Sequence, residues 1–94
     1  MYLVRTTFTA RPGQAGPLLA QLKEMAAAGG LPHVRFLTDA TGDFNTVEME
    51  YQIASLGELE EIQQRRLSSA EVRDKAKGYT DHWLTGKREL YRIA

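Results

Sequence analysis

Tyr79 and His82 carry the chemistry most readily turned to catalysis in this chain. They stand at positions i and i+3, which makes them neighbours on one side of a helix. Imidazole titrates near neutral pH, and a phenol beside it can relay a proton. Trp83, the sole tryptophan, adds a flat apolar surface. Tyr51 and Asn45 supply a phenol and an amide able to orient a bound molecule. His82 and Tyr79 are thus the candidate catalytic residues, and Asn45, Tyr51 and Trp83 the candidate ligand contacts. Each also has a plainer role. His82 reads equally as a half-exposed surface histidine, and Tyr51 and Trp83 as core. Asn45, beside a turn, reads as a cap on its own backbone.

Other chemistries are excluded. Cysteine is absent, so there is no disulfide, thiolate nucleophile or thiolate-bound zinc. The two histidines, His33 and His82, have no metal-ligand spacing, and no metal site is expected. Gly13, Gly16, Gly29 and Gly30 match neither a dinucleotide fingerprint nor a P-loop. No serine sits in a nucleophile elbow. No cofactor is implied. Twelve basic and 12 acidic residues leave a net charge of +0, which speaks against nucleic acid as a partner. There is no apolar run of about 18 residues to span a membrane. The start of the chain has neither a basic region nor a long apolar stretch, so no signal peptide is expected. A cytoplasmic location fits these features.

The elements that must position the candidates follow from periodicity. Ninety-four residues with 43% hydrophobic and 26% charged side chains are one ordinary globular domain, 1–94. Residues 2–10 alternate as a strand, with Tyr2, Val4, Thr6, Phe8 and Ala10 on one face. Arg11-Pro12-Gly13 breaks it. Leu18, Leu22 and Met25 then mark a helix over 14–28, with Pro17 in its first turn and Gly29-Gly30 at its end. Residues 33–38 and 44–53 read as strands joined by the Asp39–Asp43 turn, an antiparallel hairpin. Ser55-Leu56-Gly57-Glu58 is a capping box that opens a second helical region. Its stripe is Leu56, Leu59, Ile62 and Arg66 or Leu67. Ser68-Ser69-Ala70-Glu71 is a second box and predicts a break there. Val72, Ala76, Tyr79 and Trp83 continue as a helical stripe that Gly86 ends, and 88–93 is the last strand.

The order β-α-β-β-α-β defines an α+β, ferredoxin-like sandwich with antiparallel sheet order 4-1-3-2. The inward stripe of the last helix should face Val47, Met49 and Tyr51. It carries no arginine or lysine, so the cleft it frames suits a planar ligand better than a charged one. The opposite sheet face would carry Leu3, Arg5, Thr7, Arg35, Leu37, Glu48 and Glu50. Which alternate set of the last strand joins them stays open. Glu48 and Glu50 would lie between Arg5 and Arg35 as cross-strand ion pairs. Such a face is either solvated or covered by a second copy, which would enlarge a small core.

Residues 2–93 resemble the dimeric α/β-barrel superfamily, which includes antibiotic-biosynthesis monooxygenases, stress-responsive barrel proteins and NIPSNAP-like proteins. The resemblance rests on Arg11-Pro12-Gly13, Thr41-Gly42-Asp43-Phe44-Asn45, Ser55-Leu56-Gly57-Glu58 and Gly86-Lys87-Arg88-Glu89-Leu90-Tyr91. It implies a homodimer forming an α/β barrel, with a cleft in each subunit that holds a small aromatic ligand. For function it implies a small-molecule-binding protein, with a cofactor-independent monooxygenase-like reaction on an aromatic or polyketide-like substrate as its catalytic form. The alternative is a non-catalytic ligand-sensing or protein-interaction module. Haem degradation is not implied, because the first strand lacks the asparagine those members use, and adjacent His82 and Trp83 point apart on a helix.

Overall fold

A computed structural model describes all residues, Met1–Ala94. The elements run β1 (Tyr2–Ala10), α1 (Ala15–Gly29), β2 (Arg35–Thr38), β3 (Thr46–Ile53), α2 (Leu56–Ser68), α3 (Ala70–Lys75), a 3-10 turn (Tyr79–His82) and β4 (Trp83–Arg92). The strands form one antiparallel sheet of order β2-β3-β1-β4, which is the expected 4-1-3-2 order read from the other edge. No helix is long and apolar enough to cross a membrane.

Helices cover one face only. α1 lays Leu18, Leu22, Met25 and Ala26 against the even-numbered face of β1 and the odd-numbered face of β3. Val4, Met49, Tyr51, Ile53 and Ala26 gather around Ile62 of α2 in one half of the core. Phe8, Ala10, Leu18, Leu22, Met25 and Val47 make the other half, with Ala76, Tyr79 and Trp83 packed at its margin. Of the strand residues expected to face the last stripe, Val47 therefore does so, whereas Met49 and Tyr51 lie beneath α2.

Helix ends follow the capping chemistry of their residues. Gly30 takes the left-handed conformation (φ 62°) and its N–H turns back to the carbonyl of Ala27, the usual glycine stop. At α2, Ser55 Oγ accepts from Glu58 N–H at 3.3 Å, while the Glu58 carboxylate accepts from Ala54 N–H at 2.7 Å. The expected break between α2 and α3 is present, but its cap is Ser69, not Ser68. Ser69 Oγ accepts from Val72 N–H at 3.2 Å. Ser68 instead bonds back to the carbonyls of Gln64 and Arg65. Gln21 of α1 donates to the carbonyls of Lys75 and Lys77 and so moors the end of α3.

Beyond α3 the structure departs from the helical reading. Gly78 adopts φ 77° and ends the helical run, so Tyr79 lies in a 3-10 turn and Trp83 begins a strand of 10 residues. The spacing of 72, 76, 79 and 83 imitates a helix stripe, but β1 offers nine residues for pairing and β4 takes up its whole length. Gly86 is not a helix stop. It sits within β4, opposite Phe8, where an added Cβ would meet the Phe8 ring at 3.1 Å. The absent side chain lets that ring lie across the strand.

Two turns also differ from the expected strand limits. His33 (φ 49°) and Asn45 (φ 64°) are left-handed, a backbone that a strand cannot hold. β2 accordingly starts at Arg35 and β3 at Thr46.

Candidate functional site

The face of β4 settles what can enter the space between sheet and helices. Leu3, Arg5, Thr7 and Thr9 lie opposite Tyr91, Glu89, Lys87 and Thr85, and a register shift at Thr9/Ala10 brings Ala10 opposite Trp83. That bulge changes the alternation, so Trp83 faces the helices together with Gly86, Arg88 and Leu90. Arg88 thus stands beside Thr6 on the helix side. The expectation that no basic residue enters the cleft is wrong, because it considered one stripe, whereas Arg66 of α2, Arg73 of α3 and Arg88 of β4 also line the space.

Under α2 and α3, beside β4, lies an open groove of about 400 Å³. Met25, Val72, Ala76 and Tyr79 form its apolar wall, and Arg66, Arg73 and Arg88 its polar one. It continues inward to a small chamber of about 30 Å³ that Thr6, Phe8 and Met49 close, with Arg66, Tyr79 and Arg88 shared between the two spaces. Arg73 donates to the Leu67 carbonyl at 2.9 Å. Arg66 and Arg88 have no carboxylate partner and no protein hydrogen bond.

Thr6 Oγ1, which lines the chamber, is buried without a protein partner, as are Tyr51 Oη in the core and Trp83 Nε1 behind Tyr79. Burial pushes the Tyr51 phenol above its usual pKa, and the positive charges of Arg88 and Arg66 pull it partly back.

The five candidates do not form one site. Tyr79 lines the groove. Trp83 packs behind it, with ring centres 6.2 Å apart, and against Phe8 at 5.3 Å. Tyr51 is 1% exposed in the core. His82 lies outside the groove, where Nδ1 meets Gln14 Oε1 at 2.8 Å and its carbonyl accepts from Arg11 N–H. Asn45 is further away, and its carbonyl accepts from Ala10 N–H at 2.8 Å. Arg66 and Arg88 line the groove although neither is among the sequence candidates. Arg66 carried a signal, since it falls on the stripe one turn after Ile62. Arg88 carried none without the β1–β4 register.

The other sheet face has no helix over it. Across the four strands runs a row Arg35, Glu50, Arg5, Glu89, each directly opposite the next. Glu50 is 1% exposed and accepts from Arg5 Nε at 2.8 Å and Arg35 Nε at 2.7 Å. Burial pushes its carboxyl up, but the hydrogen bonds from Arg35 and Arg5 and their charges outweigh this, so its pKa lies below the ordinary carboxylate value. Glu48 is secondary: it accepts from Thr7 Oγ1 at 3.0 Å and stands 3.9 Å from Arg5. Tyr91 donates to Glu89 at 2.6 Å, and the Arg5 guanidinium lies 5.3 Å from the Tyr91 ring centre.

No family model and no curated protein matches the chain. Solved structures do. A NIPSNAP domain protein from Burkholderia xenovorans superposes with a TM-score of 0.89 at 12% identity, over 100% of this chain and 95% of that one. A NIPSNAP family protein from Agrobacterium tumefaciens gives 0.84 at 12% identity, over 99% and 92%. A Chloroflexus aurantiacus protein assigned to the antibiotic biosynthesis monooxygenases gives 0.77 at 20% identity, over 99% and 93%. The expected ferredoxin-like α+β fold is therefore the observed one, and these NIPSNAP and monooxygenase-like structures share it.

Proposed function

We propose that this protein binds a small aromatic molecule in the groove between its helical layer and β4, and that it works as a homodimer in the cytoplasm. The observation that carries the binding reading is the groove itself. Its volume of about 400 Å³ falls in the range of small-molecule sites. Its wall of Met25, Val72, Ala76 and Tyr79 is apolar, and a buried hydroxyl without a partner, Thr6 Oγ1, lies at its inner end. An apolar wall that carries an aromatic ring, here Tyr79, with polar groups opposite it offers a surface on which a flat ligand can lie.

The test uses the single tryptophan. Trp83 touches Tyr79, so its emission reports the groove. Titration with 2-naphthamide, an uncharged flat aromatic, is expected to quench that emission and raise the melting temperature, both saturably. Absence of both effects, across this probe and its larger tricyclic analogues, rejects the reading.

Dimerisation is supported by the uncovered face. A copy turned about an in-plane two-fold axis perpendicular to the Arg35–Glu50–Arg5–Glu89 row presents the row reversed, so each charge meets its opposite. Leu3, Leu37 and Tyr91 flank the row. Sedimentation at micromolar concentration is expected to give twice the 10.6 kDa chain mass. A monomer rejects it.

Two readings of the groove remain in play, binding with chemistry and binding without. The second is favoured by one placement: His82, the candidate base, is outside the groove and held by Gln14, which leaves Tyr79 as the titratable candidate on the wall. A ligand-sensing module needs no more than that. A monooxygenase-like protein would consume oxygen when mixed with a bound polyphenol, and an oxygen electrode distinguishes the two.

A further inference from the structure

We infer that the groove is selective for an anionic ligand, a flat carboxylate whose charged group sits between Arg66 and Arg88 and whose body lies on the Met25–Tyr79 wall. The inference rests on the binding reading above and adds the ligand's charge and orientation.

The first support is the local charge. The chain is neutral overall, with 12 basic and 12 acidic residues, yet the groove wall holds three arginines and no carboxylate. Low-dielectric walls lined by one sign of charge concentrate the field and attract the opposite ion. The second is the lack of compensation. On the outer sheet face Arg5 and Arg35 share Glu50, and Arg73 is bound to the Leu67 carbonyl. Arg66 and Arg88 have no such partner, although they come from different elements, α2 and β4. A guanidinium presents a planar fork of donors that matches a carboxylate. Two such forks on one cavity are free to take it.

The third support fixes the orientation. The inner chamber, about 30 Å³, is lined mainly by apolar residues, among them Phe8, Leu22 and Met49, and Arg66, Arg88 and Thr6 are its polar groups; it has room for one small group and not for a ring. Thr6 is 6% exposed, and its Oγ1 has no protein partner. A hydroxyl donates as well as accepts, so it can complete the coordination of a carboxylate oxygen placed there. The aromatic body must then lie outside, in the larger groove against Val72, Ala76 and Tyr79. Buried polar groups left unpaired penalise a ligand that cannot satisfy them. The hydroxyl fixes where the polar group sits, and the two guanidinium charges favour the acid over its neutral isostere.

The probes are 2-naphthoate and its uncharged isostere 2-naphthamide, compared by isothermal titration calorimetry on the intact protein. Naphthoate is expected to bind at least about tenfold more tightly, the discrimination of one charge-assisted hydrogen bond. Added salt should narrow that gap. In Arg66→Met and Arg88→Met each, the gap should close, because naphthoate loses more affinity than naphthamide does. Arg65→Met, which alters an exposed arginine away from the groove, should leave it intact. Arg88 is exposed on a strand, so its substitution spares the core, and far-ultraviolet dichroism checks the fold of every variant. Equal binding of the two probes overturns the anion inference and leaves the groove standing. A preference that survives both Arg66→Met and Arg88→Met also overturns it. Binding of neither probe overturns the groove itself.

Discussion

Replacement of Glu50 by alanine is expected to cost about 2–3 kcal/mol, somewhat below the ~3–5 kcal/mol of breaking a fully buried ion pair. The discount reflects solvent at the partners, since the Arg5 and Arg35 side chains are 33% and 68% exposed. The loss has two parts. Two guanidinium groups lose their shared acceptor, and they then face each other across β3 with nothing between them. Glu50→Gln keeps an acceptor oxygen and should lose less. The same carboxylate makes the native state sensitive to acid. Its folded pKa lies below the ordinary value, so its contribution is fully present above the unfolded carboxylate pKa of about 4.3. It is lost as pH falls through the lower folded value. Urea unfolding between pH 7 and pH 3 should therefore show a steeper acid decline in the native protein than in Glu50→Gln. Parallel curves would mean that the row contributes nothing.

Ile62→Ala should be at least as damaging, by about 2–5 kcal/mol. α2 has 13 residues, and Ile62 is its one buried side chain, 1% exposed, with Leu59 partly buried beside it. The rest of the helix is glutamate, glutamine, arginine, Gly57, Ser68 and two exposed leucines, Leu56 and Leu67. Removing the Ile62 side chain takes away the anchor and opens a void against Tyr51 and Met49. For a domain of this size each kcal/mol corresponds to about 4–8 °C of melting temperature. Hydrogen exchange should show α2 losing protection before the sheet does. Arg66 lies one turn beyond Ile62, so naphthoate affinity should fall as well, by loosening rather than by loss of a contact. An α2 as protected as in the native protein would show that its caps hold it without the core.

The strands of this fold are legible because their residues alternate and their turns carry glycine, proline and aspartate. β1, the body of β3 and the span of α1 follow from that to within a residue or two. The α2–α3 joint is legible because serine caps helices better than it fills them. What escaped the sequence was governed by contacts between distant segments. Trp83 stands at helical spacing from Tyr79, and only the length of β1 waiting to be paired makes it a strand residue. The pairing of Arg88 with Thr6 puts Arg88 on the helix side, and the shift at Thr9/Ala10, where Leu84 is the extra residue, brings Trp83 to that side too; no local pattern reveals either. The candidate site failed for the same reason. Tyr79 reached the groove, but His82 and Asn45, selected for their side-chain chemistry, are engaged at the adjoining β1–α1 and β2–β3 turns. The groove's two free arginines, separated in the chain by a helix, a turn and half a strand, come together only through the packing of α2 and the pairing of β4 with β1.

The central place of β1 sets a constraint in time as well as in space. Its two neighbours are β3 and β4, so the first strand made is completed only by the last. On a ribosome, which releases the chain from its N-terminus onward, β1 emerges as a solitary amphipathic ribbon. It can collapse onto α1, and later gain β3, but one of its edges stays open until β4 has been synthesised. Contacts between segments so far apart in sequence slow folding, because most of the chain must be ordered before they form. Until then the open edge of β1 offers the same hydrogen bonds to any neighbouring nascent chain. Arg5 is charged in that interval as it is in the native sheet, and a charge in the middle of a waiting strand guards against wrong partners until Glu50 and Glu89 arrive on either side.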